Sequence, residues 1–222
     1  HVDSPSQYFT DYCRQYSDMP LLVRLEKRAD GRLVPERFLR ASDLGGLGEA
    51  NNPEWKTLAF DEKSDQVTVP NGSVGFRWGE KGKWNIEEKD SAGRETRLRL
   101  SLKDAHDGIE AVSFPYFGGV EHDRFTASKF SDILERHIPV RRLKLSDGKQ
   151  WEVATVYDLL LAHYGVDRGF GGGNVAANYD QDLPGTPAWQ ERITGVPRAE
   201  VIEIAREFAD TAAKTRGRSM II

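Results

Sequence analysis

Arg97–Leu102, RLRLSL, decides how the middle of this chain folds. Leu98, Leu100 and Leu102 alternate with Arg97, Arg99 and Ser101, a period of two that buries one side of an extended segment and wets the other. The leucines are therefore core candidates and the arginines a solvated face. Turn signals lie around this stretch at short intervals: Asp30-Gly31, the acidic loop near Asp61 to Asp65, Asn71-Gly72, Ala92-Gly93 and Asp147-Gly148. They predict hairpins that pair Trp55–Phe60 with Gln66–Val69, Trp84–Glu88 with Arg94–Leu102, and Val140–Leu145 with Gln150–Val153. Phe114 to Gly119, FPYFGG, reads as an aromatic corner kept out of regular structure by proline and glycine, and Ser128 to Arg136 as a short helix.

The two ends read differently. Ser4, Pro5 and Gln7 form an N-cap, a first-turn proline and a capping-box partner. The helix they start places Tyr8, Phe9, Tyr12, Cys13 and Tyr16 on one face and Asp11 and Arg14 on the other. Leu21 to Leu25 follows as an apolar strand. Towards the other end, Thr155 caps a helix through Tyr164 that stops at Gly165, and Gly169 to Asn174 is a flexible loop. Thr186 and Pro187 open a helix closed by Gly195; a second helix from Pro197 carries Val201, Ala205, Phe208 and Ala212 on one face. Ser219 to Ile222 begins a strand. The fold class is α+β, an antiparallel, hairpin-rich middle flanked by helix and strand pieces of α/β units.

With 222 residues and 38% hydrophobic content the chain can bury a core, and a net charge of −4 provides no general attraction to nucleic acid or anionic lipid. The single cysteine, Cys13, forbids an internal disulfide and a cysteine-based metal or iron–sulfur site made by this chain alone. No apolar run approaches the roughly 20 residues that span a bilayer. A start at His1 and an apolar finish at Met220-Ile221-Ile222 lead to the expectation of a piece of a longer protein.

Pro70–Asn85, PNGSVGFRWGEKGKWN, is the most distinctive composition in the chain. Glycines 72, 75, 79 and 82 permit tight turns, and Trp78 and Trp84 add flat faces with one donor each, so a packed corner and a ligand wall both fit. Arg77, Lys81 and Lys83 interleave with the aromatics as in single-strand binders, but Glu80, Glu87, Glu88 and Asp90 crowd the same region. Other motifs fail. Gly169, Gly171, Gly172 and Gly173 lack the leading strand and final glycine of a dinucleotide loop; Asn71 to Gly75 is one residue out of phase with a nucleophile elbow. Glu121-His122-Asp123 gathers metal-ligand types, yet adjacent residues point in different directions. Asn71-Gly72-Ser73 matches a glycosylation sequon, relevant only to a secreted protein.

Separated blocks in constant order carry a resemblance: DYCRQYSDMPLL (Asp11–Leu22), NNPEWKT (Asn51–Thr57), Pro70–Asn85, FPYFGG (Phe114–Gly119), TVYDL (Thr155–Leu159), and TPAWQERITGV with IAREFAD (Thr186–Val196, Ile204–Asp210). From end to end the chain resembles the large catalytic subunit of membrane-bound respiratory nitrate reductase, in the dimethyl sulfoxide reductase family of molybdenum enzymes. The resemblance implies an internal segment: residues 1–25 ending one α/β cofactor-embracing domain, 26–153 a β-rich insertion, and 154–222 a helical region and the start of the next α/β domain. It implies a parent that reduces nitrate to nitrite at molybdenum held by two molybdopterin guanine dinucleotides, beside a 4Fe-4S cluster. It also implies an iron–sulfur beta subunit, a cytochrome b gamma subunit, and a place on the cytoplasmic face of the bacterial cell membrane.

No catalytic or metal-ligating residue of that family maps onto a position here, and its cofactor contacts are not assignable. The segment alone is expected to bind no cofactor and to be inactive. Arg77, Lys81 and Lys83 are candidates for steering an incoming anion. Two further readings stand beside this one: a segment of a related chlorate or selenate reductase, and a stand-alone β-rich module gripping a protein or a single strand.

Overall fold

The computed structural model describes residues 7–47, 51–71, 87–115, 133–173 and 175–215. It is α+β and divides into two compact units, one of residues 11–112 and 138–160, the other of residues 1–10, 113–137 and 161–222. The named elements run α1 (Gln7–Tyr16), β1 (Leu22–Lys27), β2 (Leu33–Phe38), a 3-10 turn (Ala41–Leu44), β3 (Ala59–Phe60), β4 (Val67–Thr68), β5 (Gly108–Pro115), β6 (Ile133–Lys144), β7 (Gln150–Thr155), α2 (Val156–His163), α3 (Pro187–Thr194) and α4 (Arg198–Thr215).

In the first unit the β1–β2 hairpin turns at Gly31, whose φ of 87° is open to glycine at no steric cost. β7 pairs antiparallel with β1 (Val23↔Ala154) and with β6 (Arg142↔Glu152). The strand order β1-β2-β5-β6-β7 closes into a barrel. The sequence predicts antiparallel pairing throughout; the link from β2 to β5 is instead parallel, at Leu33↔Val112. Such a link joins segments far apart in the chain, which turn signals do not report. The core gathers Leu22, Leu39, Leu58, Phe60, Val69, Leu102, Leu145 and Val153, all buried. Fully burying one such side chain contributes about 1.5–3 kcal/mol.

The hairpin predicted over 55–69 forms, as the short pair β3–β4. The one predicted over 84–102 is reduced to single contacts among the described residues: Lys89 bridges Glu95 and the Thr96 amide donates to the Glu88 carbonyl at 2.7 Å, while Leu98 bridges Asp61 outside that hairpin. Trp84 to Ile86 lie outside the described residues. RLRLSL nevertheless keeps its period of two, because Leu98, Leu100 and Leu102 are buried without a ladder beside them. α1 departs from its predicted faces. Cys13 is buried, but Tyr12 and Tyr16 stack on each other at 5.1 Å while exposed, and the side chain of Arg14 is drawn inward. Ser4 and Pro5 lie outside the described residues.

In the second unit the predicted helix over 128–136 is corrected. Ile133 to Arg136 belong to β6, and 128–132 lie outside the described residues. Leu134, Arg136, Ile138 and Val140 are all buried, a strand period that the charged Arg136 disguised. Phe114 and Pro115 end β5 rather than opening an irregular corner, and 116–119 are not described. Gly172, in the predicted flexible loop, bridges Arg136. A Cβ there would stand 3.0 Å from the His137 amide nitrogen, so this approach needs glycine.

The helix ends follow the sequence closely. The Thr155 hydroxyl accepts from the Asp158 amide at 3.1 Å to start α2, and Gly165 closes it with its amide on the Ala162 carbonyl. The Thr186 hydroxyl caps α3 through the Trp189 amide, and Gly195 ends it with a φ of 76°. α4 starts at Arg198 but buries none of its residues. The proposed strand over 219–222 lies outside the described residues.

Candidate functional site

Most of the residues that the sequence marks for chemistry fall outside the described part. Arg77, Lys81, Lys83, both tryptophans of the Pro70–Asn85 block, and Glu121-His122-Asp123 are among them. Two polar constellations are placed, and the sequence points to neither.

The first lies in the barrel-bearing unit. Arg14 donates to Glu62 at 2.9 Å and to the Leu98 carbonyl at 3.0 Å, and pairs with Asp11 at 3.3 Å. Arg97 reaches the same Glu62 at 3.0 Å and Asp11 at 3.4 Å. Two arginines and two carboxylates thus tie α1 to the 60s loop and to RLRLSL. Beside them Arg99 and Arg141 share Asp65 at 3.1 and 3.0 Å, and Arg141 also pairs with Asp107 at 3.3 Å. The arginine face of RLRLSL is therefore not free in water. Arg99 is 15% exposed, because the carboxylates of the neighbouring loop come to it.

Asp61 sits at the centre of that loop. Burial works against its ionisation, but it accepts from the Arg97 amide at 2.8 Å and from the Ser64 amide and hydroxyl at 3.0 and 2.7 Å. The balance holds its carboxyl far below the ordinary range. Asp158 is a second buried acceptor, taking the Ser101 hydroxyl at 2.7 Å, the Leu102 amide at 2.8 Å and the Thr155 hydroxyl at 2.8 Å. It fixes the end of RLRLSL to the start of α2. Together these contacts fix loop, strand and helix start to one another.

The second constellation is Arg136, 1% exposed, in the other unit. Its Nη1 donates to the Ala162 carbonyl at 3.0 Å, in the last turn of α2 where unpaired carbonyls carry partial negative charge. Nε and Nη2 have no hydrogen-bond partner among the described residues, and burial lowers the guanidinium's pKa. Gly165 makes the space: with φ +70°, its Cβ would stand 2.2 Å from Nη1. His163 lies edge-on to Phe114 at 5.6 Å, and its pKa is lowered by burial and then by the charge of Arg136. The alternation from Leu134 to Val140 was the signal that would have found this arginine as an inward-facing residue.

As a donor set, these residues do not fit a metal centre. Among the described residues no three His, Cys, Asp or Glu side chains gather to hold an ion. Cys13 is buried, and that burial pushes its thiol up to about 11, so at neutral pH it is protonated and unsuited to ligation. No described helix is long and apolar enough to cross a membrane.

Partly exposed arginine–carboxylate pairs brace the barrel-bearing unit, and among the described residues no three ligand-type side chains gather. Over its whole length the chain is similar to respiratory nitrate reductase alpha chains. It is 58% identical to the "Respiratory nitrate reductase 2 alpha chain" of Escherichia coli strain K12 across 223 residues, and 41% identical to a Bradyrhizobium alpha chain across 222. Identity to the "Nitrate reductase alpha subunit" of Mycobacterium tuberculosis is 42% across 228 residues. These alignments take in 100% of this chain and 18%, 20% and 17% of the respective relatives, so the chain spans about a fifth of their length. No family model matches it. The chain thus resembles a segment of the respiratory nitrate reductase alpha chain.

Proposed function

We propose that these 222 residues are a structural segment of the catalytic subunit of a molybdenum-dependent respiratory nitrate reductase, and that the whole polypeptide reduces nitrate to nitrite. The observation that carries this reading is similarity across 100% of the chain to nitrate reductase alpha chains from organisms as different as Escherichia coli and Mycobacterium tuberculosis. The metal ligands, the two molybdopterin guanine dinucleotides and the 4Fe-4S cluster belong to other parts of that polypeptide. The segment's share is shape: residues 1–25 finish one α/β domain, 26–153 form a β-rich insertion on the enzyme body, and 154–222 lead into the next α/β domain. In this reading an iron–sulfur beta subunit and a cytochrome b gamma subunit bring electrons from quinol, at the cytoplasmic face of the cell membrane.

The test is on the native protein. Capture with an antibody against this segment, followed by intact mass, molybdenum and iron analysis and a viologen-linked nitrate assay, is expected to give a polypeptide several times heavier than 25.0 kDa that carries both metals. A metal-free native protein of 25.0 kDa overturns the proposal and leaves a stand-alone binding module. A metal-loaded enzyme that turns over chlorate or selenate but not nitrate overturns the substrate alone.

A further inference from the structure

α4 is the longest helix of the described chain and the least packed, with no buried residue among its 18. Its pattern does not suit that exposure. At 100° per residue Val201, Ile204, Ala205, Phe208 and Ala212 fall within one arc of about 100°, and Glu203, Arg206, Glu207, Asp210 and Lys214 occupy the opposite side. Within the apolar arc Ile204 is 61% exposed and Phe208 39%. Among the described residues its ion pairs lie at its first residue: Arg198 pairs with Glu191 at 2.9 Å and with Asp180 at 3.3 Å. Helices in proteins owe most of their stability to burying an amphipathic face, so a face of this length is built to be covered.

We propose that the Val201–Ala212 stripe is an internal packing face, covered in the whole subunit by a β-sheet that the same polypeptide forms outside these 222 residues. The inference rests on the reading of the chain as a segment of a larger alpha chain. Three observations select this occupant. The relatives are longer by far, the chain spanning 18% of the Escherichia coli subunit, so most of the polypeptide lies elsewhere. The sequence after α4 reads Arg216-Gly217-Arg218 and then the apolar Ser219–Ile222, the sequence pattern of an α/β unit, in which a helix lays its apolar face on a sheet.

The third observation is size. A helix of 18 residues is about 27 Å long and 10 Å wide, so one face offers roughly 270 Å², against the roughly 800 Å² per partner of a stable interface between separate chains. Alone it is too small for a second copy or a partner subunit, whereas within one chain tethering removes the cost of association.

Amide hydrogen exchange over residues 198–215 tests this in the full-length subunit, measured alone and in its native complex. Strong protection in the isolated subunit is expected, a hundredfold or more over the intrinsic rate, unchanged by assembly. Ile204→Glu and Phe208→Glu are expected to remove that protection, with Glu207→Lys on the polar side leaving it intact. Phe208→Ala, a milder change, is expected to reduce protection if the glutamates prevent folding. Protection that arises only in the complex overturns the proposal in favour of a partner subunit. Absence of protection in both states overturns it in favour of a solvent-facing helix. Either failure in a metal-bearing polypeptide several times heavier than 25.0 kDa leaves the nitrate reductase reading standing; a native mass of 25.0 kDa defeats both.

Discussion

Gly165→Ala is the sharpest perturbation this chain offers, because its cost depends on a residue 29 positions away. The backbone at Gly165 is left-handed, with φ +70°, which an alanine adopts at a cost of about 1–2 kcal/mol. The new Cβ also lands 2.2 Å from Nη1 and 3.0 Å from Cζ of Arg136. Arg136 is 1% exposed, so its guanidinium has no free space to swing into and must give up its bond to the Ala162 carbonyl. A hydrogen bond to a charged group contributes about 1.5–3 kcal/mol. The sum is about 2.5–5 kcal/mol, a loss of roughly two to three and a half powers of ten in hydrogen-exchange protection for α2 at about 1.4 kcal/mol per factor of ten.

Arg136→Met removes both the bond and two unpartnered buried donors, and its own effect is expected to stay within about 1 kcal/mol. In that background Gly165→Ala should cost only the left-handed backbone. The double-mutant cycle, read by exchange over 156–165 in the full-length protein, should therefore give a coupling of about 2 kcal/mol. Additive effects, with no coupling, would refute the placement of the guanidinium against the end of α2.

Asp61 gives a pH dependence with a defined sign. Its folded pKa is depressed, so it contributes stability that is present above the unfolded value of about 3.8 and is lost as pH falls below it; Asp61→Asn should flatten the fall in melting temperature between pH 5 and 3. Asp158→Ala leaves the buried Leu102 amide without its acceptor and two hydroxyls without theirs, and should destabilise by about 3 kcal/mol in chemical denaturation, with Asp158→Asn less severe. Cys13, buried with its thiol pushed up to about 11, should resist iodoacetamide at pH 8 in the native protein and alkylate fully in guanidinium, as read from the mass of its tryptic peptide.

Local signals were legible wherever a residue does its work through its own backbone. Thr155, Gly165, Thr186 and Gly195 start and stop helices where their chemistry requires, and the turns at Gly31 and Gly148 have the positive φ that such turns use. Burial with a period of two held even where no ladder formed, since the leucines of RLRLSL needed only a core to face. What failed was everything set by partners distant in sequence. The parallel rung from Leu33 to Val112, the inward turn of Arg14 to Glu62, and the carboxylates that meet Arg99 are invisible in any window of a dozen residues.

Arg136 and α4 mark the same limit from opposite sides. The sequence reading places Ser128 to Arg136 in a short helix, whereas Arg136 occupies an inward strand position. The Leu134–Val140 alternation was the stronger evidence, and a guanidinium at a helix C-terminus is one of the few ways a buried cation is tolerated. In α4 the helix lies where the sequence places it, and the packing its apolar pattern implies has no place among the described residues. An amphipathic helix with no buried residue, in a chain that spans 18% of its relative, points to a covering surface in the rest of the parent. The folding information in this segment is therefore not closed within it: the helix caps are specified locally, and the face of α4 is specified for a surface that other residues of the parent must supply.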